Sequence, residues 1–229
     1  MVSTAKKYSD VLAETLKSLG YTHYFYVGGG NIMHLTESLS NQLCGIPVVH
    51  EVAACVAAEY FNEISVDHRA LALVTAGPGI TNCITGIAGS WLESRELLLI
   101  GGQVKTSDLA GDELRGRGIQ EIDGVSICKP ITKASICLRE PLPLENFVSL
   151  VQTSWTPRKG PVFIEIPLDV QATPVECREN LKPENIVLDV ASDEDIENIV
   201  TLFNGSKSPI ILIGGGVSYQ TAAALHERL

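Results

Sequence analysis

No stretch of this 229-residue sequence reaches the roughly 20 consecutive apolar residues that a membrane-spanning helix needs. Residues 1–10 also lack the apolar core of a secretory leader, so the expected location is cytoplasmic. Positive charge is sparse. Lys and Arg total 17 against 27 Asp and Glu, which leaves a net charge of -10. A surface that tracks phosphates needs clustered cations, and these are scattered, which argues against a nucleic-acid partner. The six cysteines, Cys44, Cys55, Cys83, Cys128, Cys137 and Cys177, form no CxxC pair, and no His stands at ligand spacing from them. That argues against a zinc site or a disulfide framework, and no metal ligand is assigned. Cys55 and Cys83 fall in apolar helical patterns, where a free thiol behaves as a small core side chain.

What is present reads as a globular α/β chain, with 45% hydrophobic and 19% charged residues. Apolar runs at residues 24–27, 46–49, 70–75, 96–101 and 161–166 read as strands. Helical spacing separates them, at residues 31–39, from Val52 onward, from Ile80 through Ala88, and at 144–155. Continuous apolar strands imply burial on both faces. The expected architecture is a three-layer parallel sheet with helices on both faces. This domain is placed at residues 1–170. Residues 171–192 carry Pro174, Pro183 and many charges, and read as a linker. Residues 193–229 read as the truncated start of a second α/β domain. It begins with a helix at 193–203, followed by a strand from Pro209 into the turn Gly214-Gly215-Gly216.

Glu51 stands where the run Ile46 to Val49 ends and the Ala-rich helix begins. Open α/β sheets place their ligand chemistry there, outside the carboxyl ends of the strands. A carboxylate at a helix start is also favoured by the helix dipole, so a capping role is the plainer reading. The turns Gly28-Gly29-Gly30 and Gly214-Gly215-Gly216 lack the third glycine of GxGxxG, since Met33 and Tyr219 occupy that place. The turn Ala76-Gly77-Pro78-Gly79 is more specific. It is rigid, lets backbone approach a flat ligand, and places Asn82 within reach of the same ligand.

The order of these motifs adds weight. Past Gly28-Gly29-Gly30 come His50-Glu51, Thr75-x-Gly-Pro-Gly-x-x-Asn82, Gly101-Gly102-Gln103-Val104 and Gln120-Glu121-x-Asp123. Pro130-Ile131-Thr132-Lys133 and Gly160-Pro161 to Gln171 complete the series. It resembles the N-terminal, pyrimidine-binding domain of thiamine-diphosphate enzymes, and within them the acetolactate (acetohydroxyacid) synthase group. The resemblance runs from about residue 5 to residue 229. It implies a catalytic role for Glu51, whose carboxyl would hydrogen-bond N1′ of the cofactor's aminopyrimidine. Gly29, Pro78 and Asn82 would line the pyrimidine pocket, and Gln120 would face the substrate as a second catalytic residue. Lys133 matches a recurrent lysine, with a solvated surface charge as the plainer reading. The implied reaction is decarboxylation of pyruvate or another 2-keto acid, then carboligation to a second carbonyl, in a homodimer or tetramer.

The chain departs from the family pattern in places. Gly28 and His34 stand where proline is usual. The stretch 112–119, with Arg115 and Arg117, is longer than its counterpart and would suit a larger anionic acceptor, with a solvated loop as the plainer reading. No Gly-Asp-Gly occurs, since Glu113 follows Gly111-Asp112. The diphosphate and its Mg²⁺ would therefore be held by a domain absent from this chain, or by another chain. FAD stays open. This chain alone is expected to be inactive. Two other readings stay open: a non-catalytic binding or assembly subunit, and a dinucleotide-binding oxidoreductase supported only by the glycine turns.

Overall fold

A computed structural model describes residues 5–111, 114–176 and 190–227. Asp112, Glu113, Cys177 and most of the expected linker lie outside the described residues. The chain opens with β1 (Lys6–Lys7), α1 (Tyr8–Ser18) and β2 (Tyr21–Tyr26). A short 3-10 turn then leads to α2 (Met33–Ser40) and β3 (Cys44–Pro47). Next come α3 (Glu51–Ile64), β4 (Arg69–Val74), α4 (Pro78–Asn82), α5 (Ile84–Glu93) and β5 (Leu97–Gln103). They are followed by α6 (Gly124–Cys128), β6 (Ala134–Cys137), α7 (Leu144–Gln152), β7 (Pro161–Pro167), α8 (Leu168–Ala172) and β8 (Pro174–Val175). Further along lie α9 (Asp193–Gly205) and α10 (Tyr219–His226). No helix among the described residues is long and apolar enough to cross a membrane.

Six strands form one parallel sheet in the order β3-β2-β4-β5-β7-β6. Side chains alternate across a strand, so each strand feeds two cores. Leu71, Leu73, Leu98, Ile100, Val162 and Ile164 meet Tyr8 and Leu12 of α1, Leu35 and Leu39 of α2, and Phe147 of α7. Ala70, Ala72, Val74, Leu97, Leu99 and Phe163 meet Ala54 and Ala58 of α3, Ile80 of α4 and Ile87 of α5. The expected three-layer α/β architecture is therefore present, with helices on both faces. Each large side chain buried this way contributes about 1.5–3 kcal/mol.

Several details differ from the sequence reading. Residues 46–49 read as a buried strand, but β3 is the sheet edge. Cys44, Gly45 and Pro47 are exposed, and Val49 lies beyond the strand. α1 is a helix additional to those expected from the sequence. Its signal is the spacing Tyr8, Val11, Leu12, Leu16, which puts all four on the buried face. β6 and α6 are likewise additional elements. Residues 171–175, at the head of the expected linker, complete α8 and form β8, which pairs antiparallel with β1. Cys55 and Cys83 are fully buried, as core residues should be. They take part in close packing, because a Cβ on Gly86 of α5 would stand 2.4 Å from the Cβ of Cys55.

Residues 1–183 and 184–229 make two compact units. In the second, Ser192 and Asp195 close a reciprocal capping box at the start of α9. The strand expected from Pro209 does not form. A strand needs a hydrogen-bonded neighbour, and no described strand pairs with residues 209–213. Ile210 and Leu212 are left almost fully exposed.

Candidate functional site

The chain runs from β2 outward to β3 and then crosses back to β4 on the other side of β2. α2 packs on one face of the sheet and α3 on the other. The connections therefore part between β2 and β4, and a crevice at their carboxyl ends is where such sheets bind ligands. The glycines after β2 and the turn after β4 both open here. A Cβ on Gly29 would lie 2.4 Å from the Cβ of Thr75, so only glycine allows this approach. Gly77 adopts φ 63, a left-handed value that glycine reaches without strain. Pro78 follows at the first position of α4, where its missing N–H costs no hydrogen bond.

Glu51 is the first residue of α3 and points into this crevice. His50 caps the helix instead, its Nδ1 accepting from the Val52 N–H at 3.2 Å. The Glu51 carboxylate is thereby spared a capping bond. Its Oε2 accepts from Asn82 Nδ2 at 2.9 Å. Its Oε1 has no hydrogen-bond partner among the described residues and lies 3.8 Å from where a Cβ on Gly79 would stand. Glu51 and Asn82 are both half-buried. The Thr75 hydroxyl, between Gly29 and Gly79, is buried with no partner among the described residues. A flat, polar ligand would suit this cradle: glycine backbone allows contact, and two polar groups await partners.

Gln120 reaches the same place from a distant loop. A Cβ on Gly77 would meet the Gln120 carbonyl oxygen at 2.4 Å, so the loop lies directly on the Gly77-Pro78 turn. Gln120 is itself left-handed, with φ 62, and exposed. Glu121 ties the loop down, its carboxylate accepting from the backbone N–H groups of Ala110, Arg117 and Gly118 at 2.5, 2.7 and 2.8 Å. Lys133 is elsewhere. It precedes β6, at the amino edge of the sheet, and donates to the Thr156 carbonyl and hydroxyl at 2.9 Å each. The turn at Gly28–Gly30 opens into a 3-10 turn instead of an α-helix. That is a poor cradle for a dinucleotide phosphate, which uses an α-helix N-terminus.

One group escaped the sequence reading. Glu165 interrupts the apolar run of β7 and is 3% exposed. It accepts from Gln103 Nε2 at 3.1 Å. Burial pushes its carboxyl up to about 7, against hydrogen bonds from Cys137 and Gln103 that lower it. A lone carboxylate within Val162-Phe163-Ile164-Glu165-Ile166 was the available signal.

Residues 6–127 match the family described as "Thiamine pyrophosphate enzyme, N-terminal TPP binding domain". The chain belongs to this family. It is also similar to the acetolactate synthase large subunit of Lactococcus lactis, at 33% identity over 217 residues. That match covers 92% of this chain and 37% of the relative. The acetolactate synthase isozyme 1 large subunit of Escherichia coli is 30% identical over 221 residues, covering 94% and 38%. The 2-hydroxyacyl-CoA lyase 2 of Danio rerio is 31% identical over 248 residues, covering 90% and 38%. The chain thus spans somewhat over a third of the length of these relatives. As a thiamine-pyrophosphate-enzyme domain, it carries its crevice at the carboxyl ends of β2 and β4.

Proposed function

We propose that this chain is the pyrimidine-binding part of an acetolactate-synthase-like thiamine-diphosphate enzyme. The parent reaction is decarboxylation of pyruvate or another 2-keto acid and transfer of the remaining fragment to a second carbonyl. The observation that carries the proposal is the Glu51–Asn82 pair, with one carboxylate oxygen held at 2.9 Å and the other free. When bound, thiamine diphosphate supplies a thiazolium carbon that becomes the nucleophile. Glu51 Oε1 then holds a proton at N1′ of the aminopyrimidine. Asn82 fixes the rotamer that points Oε1 there. Gly29 and Gly77 let backbone lie against the ring, and the Thr75 hydroxyl offers it a polar contact. Gln120 lies beside the same turn, on the side open to a substrate. The diphosphate and its Mg²⁺ are held by a segment outside this chain or by another chain. The relatives' greater length supports that view, as does the lack of Gly-Asp-Gly here.

A second copy of the chain is the proposed partner. Ala54 and Ala58 of α3 are buried inside the chain and do not serve this contact. Larger side chains stay uncovered instead: Val56, Tyr60 and Ile64 on α3, and Trp91 and Leu92 on α5. Such a patch favours association.

The test is Glu51→Gln in an enzyme assembled with its diphosphate-binding domain. Exchange of the cofactor C2 proton, followed by NMR, should slow by on the order of 10²–10⁴ while the circular dichroism spectrum is unchanged. Exchange at the wild-type rate refutes the role of Glu51.

A further inference from the structure

The Glu51 crevice uses the β2 and β4 part of the carboxyl edge. The β5, β7 and β6 part holds a separate cavity of about 370 Å³. Gln103 and Glu165 line it, both nearly fully buried, and Arg115 and Arg139 line it from exposed positions. We propose that this cavity binds the second carbonyl substrate, a small hydroxylated anion, with its carboxylate or phosphate on Arg115 and Arg139 and an oxygen directed at Glu165. The role as acceptor pocket rests on the thiamine reading above; the ligand class rests on the cavity alone.

Charge and hydrogen bonding decide the ligand class. Glu121 and Asp123 also line the cavity, but their carboxylates are engaged by backbone. Glu121 accepts from three N–H groups, and Asp123 accepts from the Ser126 N–H at 2.9 Å as the cap of α6. The two guanidiniums have no hydrogen-bond or ion-pair partner among the described residues; the ion pairs lie elsewhere. A guanidinium binds carboxylate or phosphate through two parallel donors, so two of them favour an anion. Gln103 is saturated. Its Nε2 donates to the Ile122 carbonyl and to Glu165, and its Oε1 accepts from the Val104 N–H. It therefore orients Glu165, whose carboxyl, bonded also by the Cys137 thiol, lines the cavity where the ligand would lie. Burial favours the protonated acid, which can donate to a hydroxyl or carbonyl oxygen and does not repel an anion.

Position supports the acceptor role. The loop that lays Gln120 on Gly77 is the one whose Ile122 carbonyl is held by Gln103. One loop thus walls both the crevice and the cavity. The volume is at the small end of ligand pockets, which suits a small molecule.

The experiment titrates the 229-residue chain by ¹⁵N NMR with D-glucose 6-phosphate and D-gluconate, the phosphate and carboxylate arms. D-glucose and inorganic phosphate are the controls. At least one charged polyol should give saturable shifts at Arg115, Ile122 and Arg139. Its affinity should fall about tenfold in Arg139→Gln and in Arg115→Gln. Both residues are exposed, so both variants should keep the wild-type spectrum elsewhere. Glucose should bind at least tenfold more weakly. Saturation by neither polyol overturns the proposal, as does affinity unchanged in both arginine variants. Inorganic phosphate binding as tightly as glucose 6-phosphate would mean an adventitious ion only, which also overturns it. These titrations need no cofactor, so their failure is distinct from failure of the Glu51→Gln exchange test.

Discussion

Replacing Glu165 by glutamine should stabilise the fold at alkaline pH and leave it unchanged in acid. Burial raises the carboxyl from its ordinary 4.5 to about 7 in the folded chain. Between those values the unfolded chain has released its proton and the folded chain has not. Folding then requires uptake of a proton that becomes scarcer as pH rises, so stability falls through this window. Below about pH 4.5 both states are protonated and no penalty remains. Above about pH 7 the whole penalty is present. A gap of about 2.5 units at 1.36 kcal/mol each comes to about 3 kcal/mol. Glutamine has the same shape, still accepts from Gln103 Nε2 and does not ionise. Glu165→Gln should therefore gain up to about 3 kcal/mol over wild type at pH 8 and match it near pH 4.5. Burial also raises Glu59 and Glu96, but they titrate in both proteins and cancel in the difference. Urea unfolding at pH 4.5, 6, 7 and 8 measures this. Tryptophan fluorescence suits the purpose, because Trp91 and Trp155 are the two tryptophans and both lie in the first unit. A difference that does not vary with pH, or that grows toward destabilisation as pH rises, refutes the reasoning.

Asn62 of α3 accepts from the Ala70 N–H at 2.7 Å and donates to the carbonyls of Ala70 and Glu96 at 3.0 and 3.3 Å. Asn62→Ala leaves those buried groups unpaired and should cost about 2–4 kcal/mol in the same unfolding assay; a loss near zero would contradict this. Gln120 holds a left-handed backbone. Gln120→Gly should relieve about 1 kcal/mol of strain and raise stability slightly, and a marked loss would mean that its side chain secures the loop.

Some of this protein is legible from its residues one after another. Continuous apolar strands such as Leu97–Ile100 have to be covered on both faces, so a parallel three-layer sheet follows before any contact is known. The strand-to-helix junction at Glu51 and the turn Gly77-Pro78-Gly79 are equally local, because a break in hydrophobic period and a glycine beside a proline are written in adjacent residues. Long-range pairing is not. That β3 is an edge strand, and that residues 209–213 find no neighbour, depends on which strands the sheet sets side by side. The sequence by itself determined the class of fold and the order in which polar residues arrive at the carboxyl edge. Only the tertiary structure decided that Asn82 holds Glu51, that Gln120 lies on Gly77, and that Glu165 sits buried beside Gln103. The reason is physical: a hydrogen bond at 2.9 Å between residues 31 positions apart is set by how α3 and α4 pack on the sheet, and no local propensity encodes it.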